Sequence, residues 1–143
     1  MKKIISILII MMMTGVCMTG VYAASDDQSE TMETNGTNTI GLTFFNIDVT
    51  KSGSTAYIDI DESCSNTATQ LGSRSSTVQY YNGSSWVKYA SLSQSYGTNT
   101  TYHLASYSFT MQSGVQYRVV TEHYCIISGT TYKQSQTSVT FSR

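Results

Sequence analysis

The chain has 143 residues, 8 Lys and Arg against 9 Asp and Glu, a net charge of −1 and no proline, with charged residues making up only 12% of it. So little charge leaves no basic stripe for nucleic acid and no polybasic surface for an anionic membrane. The length suits a single domain with a modest core.

Lys2 and Lys3 open the chain, and Ile4–Met13 is an apolar run broken only by Ser6. Val21 and Ala23 stand at the −3 and −1 positions of a small-residue cut site. This layout predicts a secretory signal peptide over residues 1–23, cleaved after Ala23. The uncharged run Ile4–Ala24 is long enough for an uncleaved anchor. Its apolar character weakens at Thr14-Gly15 and Thr19-Gly20, so no stable membrane anchor is expected. Val16 stands before Cys17 where a lipobox carries a small residue, so lipidation is not expected either. Loss of the two leader lysines takes the net charge from −1 to about −3. An exported, extracellular chain meets an oxidising setting in which cysteines pair.

Residues 24–39 are polar and carry Asp26, Asp27, Glu30 and Glu33, which predicts an acidic flexible linker. Residues 40–143 form the folded domain, and Tyr, Thr, Val, Ile and Ser in alternation predict strands throughout. The first covers Ile40–Thr50 and turns at Lys51-Ser52-Gly53-Ser54. The second, Thr55–Cys64, sets Ala56, Ile58, Ile60 and Cys64 on one face and Tyr57, Asp59 and Asp61 on the other. Ser65–Ser76 reads as a looser stretch.

Thr77–Tyr81 and Trp86–Ala90 flank Asn82-Gly83-Ser84-Ser85, a strong hairpin signal because Asn and Gly tolerate positive φ. Pairing parity puts Val78, Tyr80, Val87 and Tyr89 on one face, which reads as core. Gln79, Tyr81, Trp86 and Lys88 fall on the other. Tyr102–Met111 and Val115–Ile127 follow, and Ser128-Gly129 turns the chain into Thr130–Phe141. About seven strands in about 100 residues predict an all-β, antiparallel sandwich.

Cys64 and Cys125, the two cysteines beyond the leader, share inward parity with Ile60 and Val119. The expectation is a Cys64–Cys125 disulfide, worth roughly 4 kcal/mol for a loop of that length. The order of these strands and cysteines resembles immunoglobulin-like domains, in which a bridge joins the second and penultimate strands. The fibronectin type III fold is similarly compatible, Val115–Thr121 resembling its penultimate strand. Trp86 lies farther from Cys64 than the antibody pattern has it, and His123 replaces tyrosine two residues before Cys125. The leader and the Ser/Thr/Tyr-rich body also resemble small exported β-sandwich proteins of Firmicutes to which no activity is assigned. None of these resemblances supplies a site residue.

For chemistry the chain offers little. His103 and His123 lack cysteine or carboxylate partners at ligand spacing, so neither metal nor cofactor is expected. Asp59, Asp61 and Glu62 do not follow a calcium-loop pattern and read as a solvated strand face. No serine lies in Gly-x-Ser-x-Gly. The candidate site is therefore the hairpin group Gln79, Tyr81, Trp86 and Lys88, an aromatic platform with polar neighbours for an extracellular glycan or protein. If the same face were turned inward, Trp86 would be core. The expected function is a secreted binding or surface-interaction module without catalytic activity. The alternatives are a small secreted hydrolase, or a toxin- or inhibitor-like effector acting through the acidic tail.

Overall fold

The computed structural model describes residues 30–31 and 41–143. The expected leader with its cut after Ala23, and all of the expected linker except Glu30–Thr31, lie outside them. The described chain is all-β: β1 (Glu30–Thr31), β2 (Leu42–Ser52), β3 (Thr55–Ala68), β4 (Gln70–Tyr81), β5 (Trp86–Ser91), β6 (Ser95–Gly97), β7 (Thr100–Thr110), β8 (Gln116–Ile127), β9 (Thr130–Thr137) and β10 (Phe141–Ser142). β1, β6 and β10 are pieces of two or three residues. Among the described residues no helix is long and apolar enough to cross a membrane.

The strands make two antiparallel sheets. One, the smaller, runs β1-β2-β3-β7. The larger has six strands in the order β10-β8-β4-β5, with β6 also pairing β4 and β9 also pairing β8. The chain crosses between sheets at Thr69, whose backbone N–H and hydroxyl both donate to the Ile126 carbonyl. Alternation explains why each sheet buries one face. Ile47, Val49, Ala56, Ile58 and Ile60 of the smaller sheet pack against Val78, Tyr117, Val119 and Phe141 of the larger. A second cluster joins Leu42, Phe45, Cys64, Ala68, Leu71 and Cys125.

Two sequence expectations are corrected by the fold. Ser65–Ser76, expected to be loose, is mostly strand: β3 and β4 run through it, with irregular register at Ser63/Ala68 and Arg74/Thr77. Tyr89 lies on the inner side of its sheet with Val78 and Tyr80, as expected, but at the rim, where the register shifts between Val78 and Gln79 and its hydroxyl donates to the Thr110 carbonyl of the other sheet. That irregularity gives β5 one extra residue, and Ala90 takes the place opposite Val78. Tyr89 is left 40% exposed, its ring lying against Tyr80, Phe109 and Tyr117.

The expected Cys64–Cys125 disulfide is absent, since both residues are free thiols whose sulfurs do not come within bonding range. Both belong to the second core cluster, as their parity requires, yet a shared cluster does not bring sulfurs to bridge geometry. The Cys64 thiol instead donates to the Asn66 carbonyl at 2.9 Å, inside the irregular end of β3.

Candidate functional site

The hairpin that carries the sequence-predicted site is closed by its own turn. Asn82 Oδ1 accepts the backbone N–H groups of Ser84 and Ser85 at 3.0 and 2.9 Å, and Gly83 takes φ of 99°. The loop is thus Asn82–Ser85, with Tyr81 opposite Trp86 and Gln79 opposite Lys88. Gln79, Tyr81, Trp86 and Lys88 stand together on the outer face of the six-stranded sheet, away from the core partners Val78 and Tyr80. Tyr81 is 38% exposed and Trp86 half-buried, so Trp86 is not covered by the other sheet.

A fifth residue completes the group. Arg118 on β8 sits opposite Gln79, and its Nε donates to Gln79 Oε1 at 2.8 Å. Its guanidinium carbon lies 4.4 Å from the Trp86 ring centroid, a cation–π geometry, while Tyr81 tilts against the indole at 5.4 Å. Sequence reasoning missed Arg118. Its outward parity on β8 was legible, but which β4 residue it faces depends on register across a non-local strand pair. Lys88 is exposed beside it.

The same face continues past this group. Arg74 Nε donates to Glu122 Oε1 at 2.6 Å, and Lys133 Nζ approaches Glu122 Oε2 at 3.5 Å. Hydrogen bonding from Arg74, aided by Lys133, holds the Glu122 carboxyl below its ordinary range. Arg74 also covers the Tyr124 ring at 4.8 Å. At one end of the fold, Tyr80, Tyr89, Gln112, Val115 and Tyr117 line a hollow of about 310 Å³.

The second polar constellation lies between the sheets and was misread. Glu62, expected on a solvated strand face, is fully buried, because its parity is that of Ile60 and Cys64. Its Oε2 accepts from His103 Nδ1 at 3.1 Å and its Oε1 from His123 Nδ1 at 3.0 Å. The far nitrogens meet polar side chains as well: His103 Nε2 lies 3.1 Å from Ser95 Oγ, and His123 Nε2 lies 2.7 Å from Gln136 Oε1. Phe45 packs against the His123 ring at 5.2 Å. One carboxylate thereby joins β3 and β7 of the smaller sheet to β8 and β9 of the larger, with β6 on the rim. Among the described residues no group of three or more His, Cys, Asp and Glu is arranged to hold a metal ion.

Comparison with protein-family models, curated proteins and solved structures returns no match for this chain.

Proposed function

We propose that this chain is an exported, non-catalytic binding module of immunoglobulin-like β-sandwich architecture, whose binding surface is the outer face of the six-stranded sheet. The leader pattern supports export, and the two antiparallel sheets with a shared core support the architecture. The observation that carries the reading is the Arg118 guanidinium held over Trp86 and tied to Gln79. A cation, an indole and a tilted tyrosine fixed in advance on a solvent-facing sheet lose little freedom when a partner arrives. Lys88 adds a second positive charge to this corner of the face. Such a surface suits a partner that presents anions beside flat apolar patches, as an extracellular glycan or protein can.

Trp86 is the only tryptophan, so its emission reports on the surface directly. Titration at low salt with polygalacturonate, an acidic glycan, and with polyglutamate, an acidic polypeptide, should give a saturable change for at least one. Neutral dextran should give none, and Arg118→Ala should abolish the response. Silence toward both acidic probes would overturn the reading.

One observation favours a second reading, a small hydrolase. Ser95 Oγ, His103 Nε2, His103 Nδ1 and Glu62 Oε2 follow one another in the order nucleophile, base and orienting carboxylate. The binding reading treats this line as the clasp between sheets, because Glu62 is shared with His123 and fully buried. Phenylmethanesulfonyl fluoride separates the two. A hydrolase would be sulfonylated at Ser95 with loss of fluoride and would lose that label in His103→Gln. The binding module stays unlabelled.

A further inference from the structure

The two outer faces carry opposite charge. On the smaller sheet the register turns Asp48, Asp59 and Asp61 outward, with Asp48 directly across from Asp59. Like charges opposite one another on neighbouring strands destabilise a sheet. No Lys or Arg occupies an outward position on β2, β3 or β7, and Lys51 reaches to the Ser142 carbonyl on the larger sheet. Around the carboxylates Tyr57, Tyr102 and Leu104 are 47%, 52% and 49% exposed. Exposed aromatic and aliphatic side chains grouped on one sheet face mark an interaction surface more often than isolated ones do. Burial, and then the charges of Glu62 and Asp48, push the Asp61 carboxyl above its ordinary range. β1 also brings the backbone of Glu30, part of the acidic run, to the edge of this sheet.

The larger sheet is the complement. Its outward positions hold Arg74, Lys88, Arg118 and Lys133 against the single carboxylate Glu122. Glu122 is taken up by Arg74 and Lys133. Lys88 and Arg118, beside Trp86 and Tyr81, keep their charge without an acidic partner among the described residues.

We infer that the acidic partner of the Trp86 face is the Asp48–Asp59–Asp61 face of a second copy of this chain, so that copies stack head to tail. This rests on the binding reading above and names its partner. Each face is aromatic with a net charge, and the two signs are opposite, which steers the unlike faces together and disfavours like-to-like pairing. Because the two patches lie on opposite sides of the fold, the contact is heterologous and leaves a free face at each end. Assembly is then open-ended instead of stopping at a dimer. Charge that faces solvent before contact makes the association sensitive to salt.

Sedimentation of the protein, purified in the form the cell produces, tests this with two variants. Asp59→Asn with Asp61→Asn neutralises one face, and Lys88→Gln with Arg118→Gln neutralises the other. Circular dichroism verifies that both remain folded. Wild type should grow beyond a dimer with concentration at low salt, and its affinity should fall about tenfold or more in 0.5 M NaCl. Each variant alone should be a monomer, since it lacks one of the two faces. Their equimolar mixture should form a complex of two chains that grows no further, because only one pair of intact faces remains. Wild type that stays monomeric at millimolar concentration would overturn the inference, as would association that neither variant weakens. Monomeric wild type whose Trp86 still answers an acidic probe would leave the binding reading standing alone. If Trp86 is silent as well, both fall.

Discussion

Cys64 and Cys125 are thiols in the core, and burial raises the proton affinity of each. For Cys125, burial first and the nearby Cys64 second push the value from 9.0 up to about 11. Below pH 9 folded and unfolded chains hold the same thiol proton, so Cys125 leaves stability unaffected there. Between pH 9 and about 11 the unfolded chain releases it while the folded chain retains it. Stability should therefore fall as pH rises through that window, and Cys125→Ala should flatten the fall in urea titrations. In the native protein at pH 7, iodoacetamide should label neither thiol, and in guanidinium it should label both. Glu62 is the other decisive residue. Glu62→Leu strips the buried His123 and the partly buried His103 of their common acceptor and should cost about 1–3 kcal/mol for each orphaned group in urea unfolding. Glu62→Gln, which keeps one acceptor oxygen, should cost less. The inward parity of Glu62 and of His123 was legible in the sequence, since each alternates with apolar neighbours. Their meeting was not, because it depends on how the two sheets face each other.

Among the elements, β6 owes its place to a glycine. A Cβ at Gly72 would run into the Ser95 carbonyl and the Tyr96 backbone, so only glycine lets β6 lie this close to β4. Gly72→Ala should displace β6, lower the melting temperature and alter the NMR signal of His103, which meets Ser95 on that strand. Arg74 on β4, Glu122 on β8 and Lys133 on β9 form a tie across three strands. The depressed Glu122 carboxyl contributes stability that is present above its unfolded value of 4.5 and is lost as pH falls through the folded value. Glu122→Gln should remove that part of the acid sensitivity. Strand existence was readable from alternation in β2, β3, β7 and β8, and the Asn82-Gly83 turn from its residue types. The polar stretch of β4 was not, since Gln70–Ser76 has no alternation and forms strand because β8 and β6 supply its hydrogen-bond partners. The irregular pairing that sets Ala90 instead of Tyr89 opposite Val78 left no local signal either.

At the scale of the whole molecule, a nearly neutral composition conceals a separation of charge. A net charge of −1 gave no hint of it, because the acidic and basic residues sort by strand face and by sheet. Parity places a residue on a face, but only sheet membership decides that β2 and β3 show carboxylates outward while β4, β5, β8 and β9 show cations. Binding through the cationic face depends on Trp86 standing outside the core, where its removal opens no large cavity. Calorimetric titration of polygalacturonate and polyglutamate into Trp86→Ala, beside wild type at low salt, tests this most directly. Wild type should release a saturable heat with at least one of them. Trp86→Ala should release none while melting within a few degrees of wild type. Undiminished binding by Trp86→Ala would put the binding surface elsewhere on the molecule, and a collapse of its melting temperature would make Trp86 a core residue.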